Sequence, residues 1–455
     1  MSIQGGWPTQ AKLAWLQQIL VERFGHAFVV QRTGSDTLRL ASHEANGTIF
    51  FDSLETAFCQ FHSDIPCAEW DAAAEDWLPI LGKPLPAPTV SQLAFPLVDK
   101  VGDNYFIHYD ILGLTYWMLS RKEEVGRTDL DEHGRFPATS SHAFKYDYLE
   151  RPIVDEWLHI LGQVIQRQWP GIQLKQHRFS MKVSHDVDHT SRYAFCRPKQ
   201  LLRRMAGDGL LRRHWGDTLR APWIWVTTKH ILHPRDPYNT FDWLMDLSDR
   251  HGLTSAFYFM TGVTDAGKDG NYDFDHPTTR YLMRRIHKRG HEIGLHPSFN
   301  TYLDPQSLMA EADKLRCAMV EEGIEQTGIG GRMHYLRWTQ PITLRSWVQS
   351  GMAYDSTLSY ADRPGFRCGT CHEYPAFDPV VDEQLGLRIR PLIAMECSVL
   401  ADQYMALADA EMAHEKLLQL KTACKHVGGH FTLLWHNSEL TTPERKELYE
   451  SVVAT

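Results

Sequence analysis

Short apolar strands alternate with amphipathic helices between residues 179 and 440, and this alternation limits the fold more than any other feature of the chain. The predicted strands lie at Phe179–Ser184, Ser255–Met260, Glu292–Leu295, Gly328–Gly330, Leu387–Leu392 and Phe431–Trp435. The predicted helices lie at Phe241–His251, Thr278–Arg289, Pro305–Glu322, Pro341–Gly351 and Asp402–Lys425. Such alternation favours a parallel sheet closed as a barrel or distorted barrel, with the chemistry at the C-terminal ends of the strands.

The first 170 residues show no such alternation. A helix is predicted at 9–24, and strands are predicted at Ala27–Gln31, Thr48–Asp52 and Tyr105–Tyr109. Apolar residues at helical spacing predict two further helices, Asp110–Glu124 and 154–168. We therefore predict an α/β protein in which a smaller accessory α+β domain, residues 1–170, precedes a distorted (β/α) barrel domain, residues 171–455.

The composition excludes several classes of protein. With 43% hydrophobic and 23% charged residues, the chain is neither disordered nor a coiled coil. A formal net charge of −9 argues against a general nucleic-acid binder. No apolar run is long enough to span a membrane, the N-terminal sequence does not resemble a signal peptide, and the eight cysteines form no disulfide framework. These features predict a cytoplasmic protein.

One insertion, residues 192–235, interrupts the alternation after the first strand. Its charged and aromatic residues include Arg203, Arg204, Arg212, Arg213, Asp208, Asp217, Trp215, Trp223 and Trp225. A basic amphipathic segment with tryptophans can lie on an anionic membrane surface or receive a polyanionic ligand, which predicts a protein peripheral to the inner membrane. The alternative is a solvated helical hairpin whose tryptophans pack on the barrel.

Paired carboxylates follow the first strand of the predicted barrel, in the segment Ser184–His189 (SHDVDH). Residues i and i+2 of a strand share a face, so Asp186 and Asp188 should point the same way. Two carboxylates so close repel each other unless a cation separates them or one is protonated. The pair therefore suits a metal ligand beside a general base, and a polar strand exit with an Asp cap is the alternative interpretation.

A second candidate cluster lies in Gly290–Asn300 (GHEIGLHPSFN). His291 opens the predicted strand and His296 closes it, so their side chains should face opposite sides of the sheet. We expect His296, at the C-terminal end, to be a metal ligand and His291 to be structural. If the chain turns helically after Pro297, Asn300 falls at i+4 from His296 and reaches the same centre.

Two further predicted strands end in residues suited to catalysis. Arg332 and His334 would share a face, and the guanidinium of Arg332 could hold a catalytic carboxylate ionised and oriented. The apolar strand that begins at Phe431 leads to His436. A buried strand would fix this imidazole while its tip faces the pocket, which is the arrangement that a general acid needs.

Taken together, these clusters resemble the polysaccharide deacetylases of carbohydrate esterase family 4 over residues 179–440. That family has a strand ending in paired Asp, a G-H-E-I-G-x-H segment leading into H-[ST]-x-x-H, an Arg-x-Pro-Tyr motif, and a strand ending in a leucine-rich stretch and His. The most specific part of the match is GHEIGLH, Gly290–His296. More loosely, Asp110–Glu124 (DILGLTYWMLSRKEE) and Asp131–Phe136 (DEHGRF) are similar to the accessory domain before some bacterial deacetylase-like proteins of surface-polysaccharide loci.

The resemblance implies a role for each of these residues. Asp186 would be the base that activates water, and Arg332 would orient it. Asp188 and His296 would be metal ligands. His436 would protonate the leaving amine.

The chain departs from the family pattern at two positions. Asn300 stands where the family has its second ligand histidine, and an amide oxygen is a weaker zinc ligand than imidazole. His334 replaces the proline of the Arg-x-Pro-Tyr motif and is the alternative third ligand. A water molecule at the third position and a loss of activity are the other interpretations that the departure leaves open.

The resemblance implies a metal-dependent N-deacetylase that uses a divalent ion, Zn²⁺, and acts on an N-acetylated sugar of a cell-surface polysaccharide precursor. Tyr335 and Trp435 are expected to contact this substrate. A cytoplasmic enzyme would meet a nucleotide sugar or a lipid-linked glycan intermediate rather than finished polysaccharide. The alternatives are a hydrolase of another non-peptide C–N bond and a catalytically impaired glycan-binding pseudoenzyme.

Overall fold

The computed structural model describes residues 7–211, 213–270, 272–407 and 409–454, and it contains two main β-sheets with helices packed around them. The N-terminal region has seven strands: β1 Phe28–Arg32, β2 Leu38–Ser42, β3 Ile49–Phe51, β4 Cys67–Trp70, β5 Leu85–Pro88, β6 Val98–Val101 and β7 Asn104–Ile107. Its helices are α1 Gln10–Phe24, α2 Ile111–Leu119, α3 His142–Lys145 and α4 Ile153–Gln168. Five of the strands form one sheet in the order β1-β2-β3-β7-β6, and β4 pairs with β5.

The single helix predicted at Asp110–Glu124 is observed as two elements, because the backbone conformation at Arg121 interrupts it. The Asp110 carboxylate accepts the backbone N–H of Gly113 at 2.7 Å and caps α2 at its start. Arg121 has a positive φ of 51°, which ends the α-helix, and a short 3₁₀ turn continues over Lys122–Glu124. The observed pair of elements therefore covers the predicted range.

The second sheet has nine strands: β8 Ser180–Val187, β9 Ser255–Phe259, β10 Glu292–Leu295, β11 Gly330–Gly331, β12 Tyr354–Asp355, β13 Tyr374–Asp378, β14 Glu383–Ile389, β15 Ala394–Met395 and β16 His430–Leu434. The helices of this region are α5 Pro198–Ala206, α6 Trp215–Thr227, α7 Phe241–Arg250, α8 Pro277–Lys288, α9 Pro305–Glu321, α10 Ile342–Gln349, α11 Glu396–Leu400, α12 Ala410–His426 and α13 Pro443–Ala454. The strand order is β13-β14-β12-β11-β10-β9-β8-β16-β15, parallel throughout except for β13. The predicted α/β class is confirmed.

The sheet follows the strand order of a barrel without closing into one. The last long strand, β16, pairs with the first, β8, as it would in a barrel. Among the described residues, however, no ladder joins the two edge strands, β13 and β15. The chain crosses this gap at Leu392 and Ile393, whose N–H groups bond to the carbonyl oxygens of Leu358 (3.2 Å) and Thr432 (3.1 Å).

Several element boundaries differ from those predicted. β8 runs to Val187, three residues beyond the predicted end, and therefore includes Asp186. At β11 the backbones approach so closely that a Cβ on Gly331 would lie 1.9 Å from the carbonyl oxygen of Leu295, so this position requires glycine. The helix predicted at Asp402–Lys425 begins only at Ala410, because the Asp409 side chain accepts the N–H of Glu411 and caps it there.

One continuous hydrophobic core runs through both regions. Trp15 of α1 lies 5.0 Å from the ring of Phe377 in β13 and donates its indole N–H to the carbonyl oxygen of Pro375 at 2.9 Å. The N-terminal helix is therefore packed directly on the edge of the nine-stranded sheet. A separate accessory domain at residues 1–170 stays a prediction.

Candidate active site

Four of the residues selected from the sequence meet at the carboxyl edge of the nine-stranded sheet. Asp186 lies in β8, His296 follows β10, Arg332 follows β11 and His436 comes two residues after β16. They meet because parallel strands all end at the same edge. Asp186, His296 and His436 line a cavity of about 250 Å³.

Asp188, His296 and His334 bring one oxygen and two nitrogen atoms together at the wall of this cavity. Asp188 Oδ1 lies 3.2 Å from His296 Nε2 and 3.5 Å from His334 Nδ1, and the two ring nitrogens are 2.9 Å apart. Ligand atoms that each lie about 2.0–2.1 Å from a tetrahedral zinc ion are about 3.3 Å from one another. The three separations are therefore close to those of a zinc ligand set.

The hydrogen bonds behind the two imidazoles fix which nitrogen of each ring is available. His296 Nδ1 lies 2.7 Å from the carbonyl oxygen of Arg332, and His334 Nε2 lies 3.0 Å from that of Lys268. A carbonyl oxygen only accepts, so each of these nitrogens donates, and a neutral ring has its lone pair on the other nitrogen. The two lone pairs then face each other and Asp188. Such an arrangement requires a positive species between them.

The pKa directions show what that species can be. Burial lowers the pKa of His334 below its ordinary value, which favours the neutral ring. Burial also opposes a charge on His296, but Asp186 and Asp188 outweigh it and raise the pKa of His296. A proton on His296 Nε2 or a metal ion can therefore satisfy the cluster. Asp188 Oδ1 is buried and has no other hydrogen-bond partner within the described part of the chain, as expected of a ligand atom.

Arg332 holds the other carboxylate of the pair. It is fully buried and donates from Nη1 to Asp186 Oδ1 at 2.8 Å. Its Nη2 donates to the hydroxyl oxygens of Ser184 and Ser356, and its Nε donates to the carbonyl oxygen of Ser356. The guanidinium is thus anchored on β8 and on the residue that follows β12, and it fixes the orientation of Asp186.

His436 is paired with a carboxylate that the sequence analysis did not select. Its Nδ1 lies 2.5 Å from Oε1 of the buried Glu396, and its Nε2 lies 3.6 Å from Asp188 Oδ2. Burial opposes a charge on His436, but the charge and hydrogen bond of Glu396, together with the contact with Cys397, outweigh it and raise the pKa of His436 well above its ordinary value. The signal in the sequence was an acidic residue directly after a short apolar run, Leu392–Met395.

Asn300 and Trp435 lie elsewhere than predicted. Asn300 is exposed; its Nδ2 donates to the carbonyl oxygen of Thr264 and its Oδ1 accepts from Arg337, so the turn after Pro297 points its amide away from the cluster. The structure brings His334, not Asn300, beside Asp188 and His296. Trp435 is fully buried, with its ring 5.2 Å from that of Tyr449. Of the two predicted substrate contacts, only Tyr335 lines the cavity.

A loop of the N-terminal region forms part of the cavity wall. Arg135, from the DEHGRF segment, donates from Nη1 to the carbonyl oxygen of Tyr335 at 3.0 Å and from Nη2 to the hydroxyl of Tyr404 at 3.0 Å. Its Nε pairs with Asp131 at 2.7 Å. Tyr335 and Leu336 both have positive φ, 60° and 55°, a conformation that residues other than glycine rarely adopt. Arg135 therefore supports a strained backbone turn immediately after His334.

Comparisons with known proteins match one family model to the N-terminal region and solved structures to about three fifths of the chain. Residues 9–170 match the model of DUF7033, a family of unknown function. No curated protein matches the chain. A putative polysaccharide deacetylase from Mycobacterium smegmatis is 16% identical, with a TM-score of 0.39, over 62% of this chain and 84% of its own. A probable polysaccharide deacetylase from Pseudomonas aeruginosa PAO1 is 14% identical, with a TM-score of 0.33, over 61% of this chain and 83% of its own. At these identities the likeness does not transfer an activity to this chain.

Proposed function

We propose that the chain is a metal-dependent hydrolase that removes the acetyl group from an N-acetylated sugar. The observation that carries the proposal is the cluster of Asp188, His296 and His334. Two imidazole lone pairs are held facing each other and the buried Oδ1 of Asp188, which is the donor set of a three-ligand catalytic zinc site. A divalent ion bound there would polarise an acetyl carbonyl and make a water molecule more acidic.

The remaining groups have the positions that amide hydrolysis requires. Asp186 accepts a proton from the attacking water, and Arg332 keeps its carboxylate pointing into the cavity. Water oxygen adds to the carbonyl carbon, the C–N bond breaks, and acetate and a free amine are formed. His436, which Glu396 holds as the protonated imidazole, donates a proton to the departing nitrogen.

The wall of the cavity favours a sugar over an apolar amide. Tyr335 and Tyr404 provide aromatic surface and a hydroxyl, and Gln403 and the exposed Lys268 provide polar contacts. Aromatic faces with a few polar groups at the rim suit a pyranose ring. We propose an N-acetylated sugar of a cell-surface polysaccharide precursor, as a nucleotide sugar or a lipid-linked intermediate, as the substrate.

The proposal is tested by metal analysis followed by acetate release. The purified protein should contain about one equivalent of zinc. It should release acetate from N-acetylglucosamine-containing glycans, but not from a panel of small amides and cyclic ureides. A chelator should abolish release, and added zinc should restore it. The proposal would be refuted if the metal-loaded protein released acetate from no glycan. It would also be refuted if the Asp188→Ala and His436→Ala variants were as active as the parent.

A further inference from the structure

The insertion after β8 is a helical hairpin with an unusually apolar outer surface. It consists of α5, a π-helical turn at Gly207–Leu211 and α6. Eight of the 23 large hydrophobic side chains that are exposed in the described residues lie within positions 202–231. They are Leu202, Leu210, Leu211, Trp215, Leu219, Trp223, Val226 and Ile231. Soluble surfaces rarely concentrate apolar side chains in this way unless they bind something.

The exposed residues of α6 form a single stripe. Trp215, Leu219, Trp223 and Val226 follow one another at intervals of four, four and three residues, which places them on one face of the helix. Leu219 is 80% exposed and both tryptophans are more than half exposed. The alternative interpretation of the sequence was a hairpin whose tryptophans pack on the barrel. The exposure of Trp215 and Trp223 differs from that expectation.

The opposite face of α6 already provides the packing that the hairpin needs. Ala221 and Ile224 are fully buried in a small core shared with Tyr193, Cys196 and Leu201. Trp225 packs against the same core and donates its indole N–H to the carbonyl oxygen of Cys196 at 2.8 Å. Within the outer stripe, Trp223 contacts the ring of His233 at 4.5 Å, but most of the stripe's apolar surface stays exposed.

The insertion carries seven exposed cations within its described residues. They are Arg197, Lys199, Arg203, Arg213, Arg220, Lys229 and Arg235, and Arg212 lies outside the described residues. The acidic side chains offset little of this charge. Asp208 is buried and bonded to Arg192 and to the hydroxyl of Tyr193, and Asp217 lies 3.7 Å from Arg220. A locally basic surface thus stands on a chain whose formal net charge is −9.

The hairpin stands at the rim of the candidate active site. His189 lines the cavity, and its carbonyl oxygen accepts from Asn437 Nδ2 at 2.9 Å. Asp236, at the end of the insertion, accepts the N–H groups of Arg192 at 2.9 Å and Tyr193 at 3.3 Å. Both ends of the insertion are therefore fixed at the carboxyl edge of the nine-stranded sheet.

We infer that the α5–α6 hairpin docks on an anionic lipid bilayer. Tryptophan and leucine side chains along one face enter the interfacial region, while long arginine and lysine side chains beside them reach the headgroups. No helix in the described parts of the chain is long and apolar enough to cross a membrane, so the contact is with the bilayer surface. The exposed arginine and lysine side chains favour an anionic bilayer as the binding partner. An apolar stripe without these charges would suit a second protein equally well.

Co-sedimentation with vesicles tests the inference. The full chain should bind vesicles that contain phosphatidylglycerol, bind those of phosphatidylcholine alone at least about tenfold more weakly, and dissociate as salt is raised. A triple variant, Arg203→Ser with Arg213→Ser and Arg220→Ser, should lose about tenfold or more of the binding to anionic vesicles. A second triple variant, Trp215→Ser with Leu219→Ser and Trp223→Ser, should lose binding by a similar factor.

The matched control removes exposed apolar side chains elsewhere. Leu78→Ser with Phe95→Ser, at positions 72% and 84% exposed, should bind vesicles as the parent does. All variants should keep the parent's circular dichroism, because every changed side chain is exposed, and the melting temperature should fall by a few degrees at most where Trp223 contacts His233. Chelator-treated protein should also bind as the parent does, so the result does not depend on the proposed reaction. Absence of binding to anionic vesicles would overturn the inference. It would also be overturned if the parent chain self-associated without binding vesicles and the apolar variants were monomeric.

Discussion

Among the described residues, three clusters have the composition of a metal site. One of them, Glu396 with Cys397 and His436, contains the carboxylate–imidazole pair described above. The other two differ in their surroundings. In the first, Asp188, His296 and His334 lie at the wall of the cavity at the carboxyl edge of the sheet. In the second, Asp155 of α4 lies beside Cys371 and His372. The atoms that could bind an ion lie within 4.8 Å of one another in each cluster. Proximity alone therefore does not separate them.

The difference lies in the groups behind the candidate ligands. Carbonyl oxygens take the outer N–H of His296 and His334, which leaves lone pairs pointing inward. In the second cluster, the Arg23 guanidinium contacts both Asp155 and His372 Nε2. Burial lowers the pKa of Arg23 to about 10, so it remains charged near neutral pH. The second cluster already contains a cation, supplied by the chain itself, and it has the character of a buried ion pair.

The largest expected effect is the loss of metal binding from the first cluster alone. Asp188→Ala or His296→Ala should weaken zinc binding by more than about a hundredfold, since loss of an outer-shell partner alone typically costs 10- to 100-fold. His372→Ala should leave zinc affinity unchanged. Competition with a chromophoric chelator measures both. Equal losses in the two clusters would remove the distinction between them.

Removing the Arg23 guanidinium should change the stability of the second cluster. Arg23→Met should lower the free energy of unfolding by about 3–5 kcal/mol, because the buried Asp155 loses its charged partner. Urea unfolding measures this. Arg23→Lys should recover part of the loss, and zinc affinity should stay at the parent's value. A variant as stable as the parent would show that Arg23 does not neutralise this cluster.

The third metal ligand of the first cluster is expected to be His334 rather than Asn300. His334→Ala should weaken zinc binding by about a hundredfold, because its Nδ1 lies among the candidate ligand atoms. Asn300→Ala should have no effect, since its amide is bonded to Thr264 and Arg337 instead. The same chelator competition distinguishes them. A loss in the Asn300 variant would place the third ligand after Pro297 after all.

A pH dependence of stability should come from the second cluster. Burial, then the charges of Arg23, His177 and His430, lower the pKa of His372 well below its ordinary 6.5. The unfolded chain therefore binds a proton below about pH 6.5 that the folded chain does not, and stability falls as pH falls, by up to about 1.4 kcal/mol per pH unit. Urea unfolding between pH 7 and pH 5 should be less pH-dependent in His372→Gln. Identical slopes would assign the effect to other groups.

The sequence predicted the elements whose pattern is local. Glu292–Leu295 is observed with the predicted bounds, because a short apolar run between polar residues marks a strand without further context. The two-residue strands β12 and β15 are too short for any periodicity to reveal. Glu396 was missed because its partner, His436, lies 40 residues later and only the fold brings them together.

The choice between Asn300 and His334 shows the same limit at the site itself. The i+4 rule that favoured Asn300 assumes a helical turn, whereas the chain after Pro297 bends so that Asn300 meets Thr264. His334 reaches His296 from a different strand end. Ligand sets assembled across strands depend on tertiary geometry, which spacing along one segment does not contain.

The smallest expected effect joins the N-terminal region to the first cluster. Arg135 bonds the carbonyl oxygen of Tyr335, the residue after His334, where the backbone has positive φ. Arg135→Ala should release this turn and lower zinc affinity by about tenfold, near the lower limit for an outer-shell partner because it acts through the backbone. The visible spectrum of the cobalt-substituted protein should change as well, since a displaced His334 alters the ligand geometry.

The control for this last change is Arg127→Ala. Arg127 belongs to the same region, but its guanidinium bonds Asp129 and Ser63 and does not line the cavity. This variant should keep both the parent's zinc affinity and its cobalt spectrum. If Arg135→Ala also keeps the parent's spectrum, the N-terminal loop only covers the cavity. If the spectrum changes, residues 9–170 help to position the ligands of the first cluster as well as to enclose the cavity. The two clusters then also differ in what the N-terminal region contributes, which is backbone support in the first and a neutralising cation in the second.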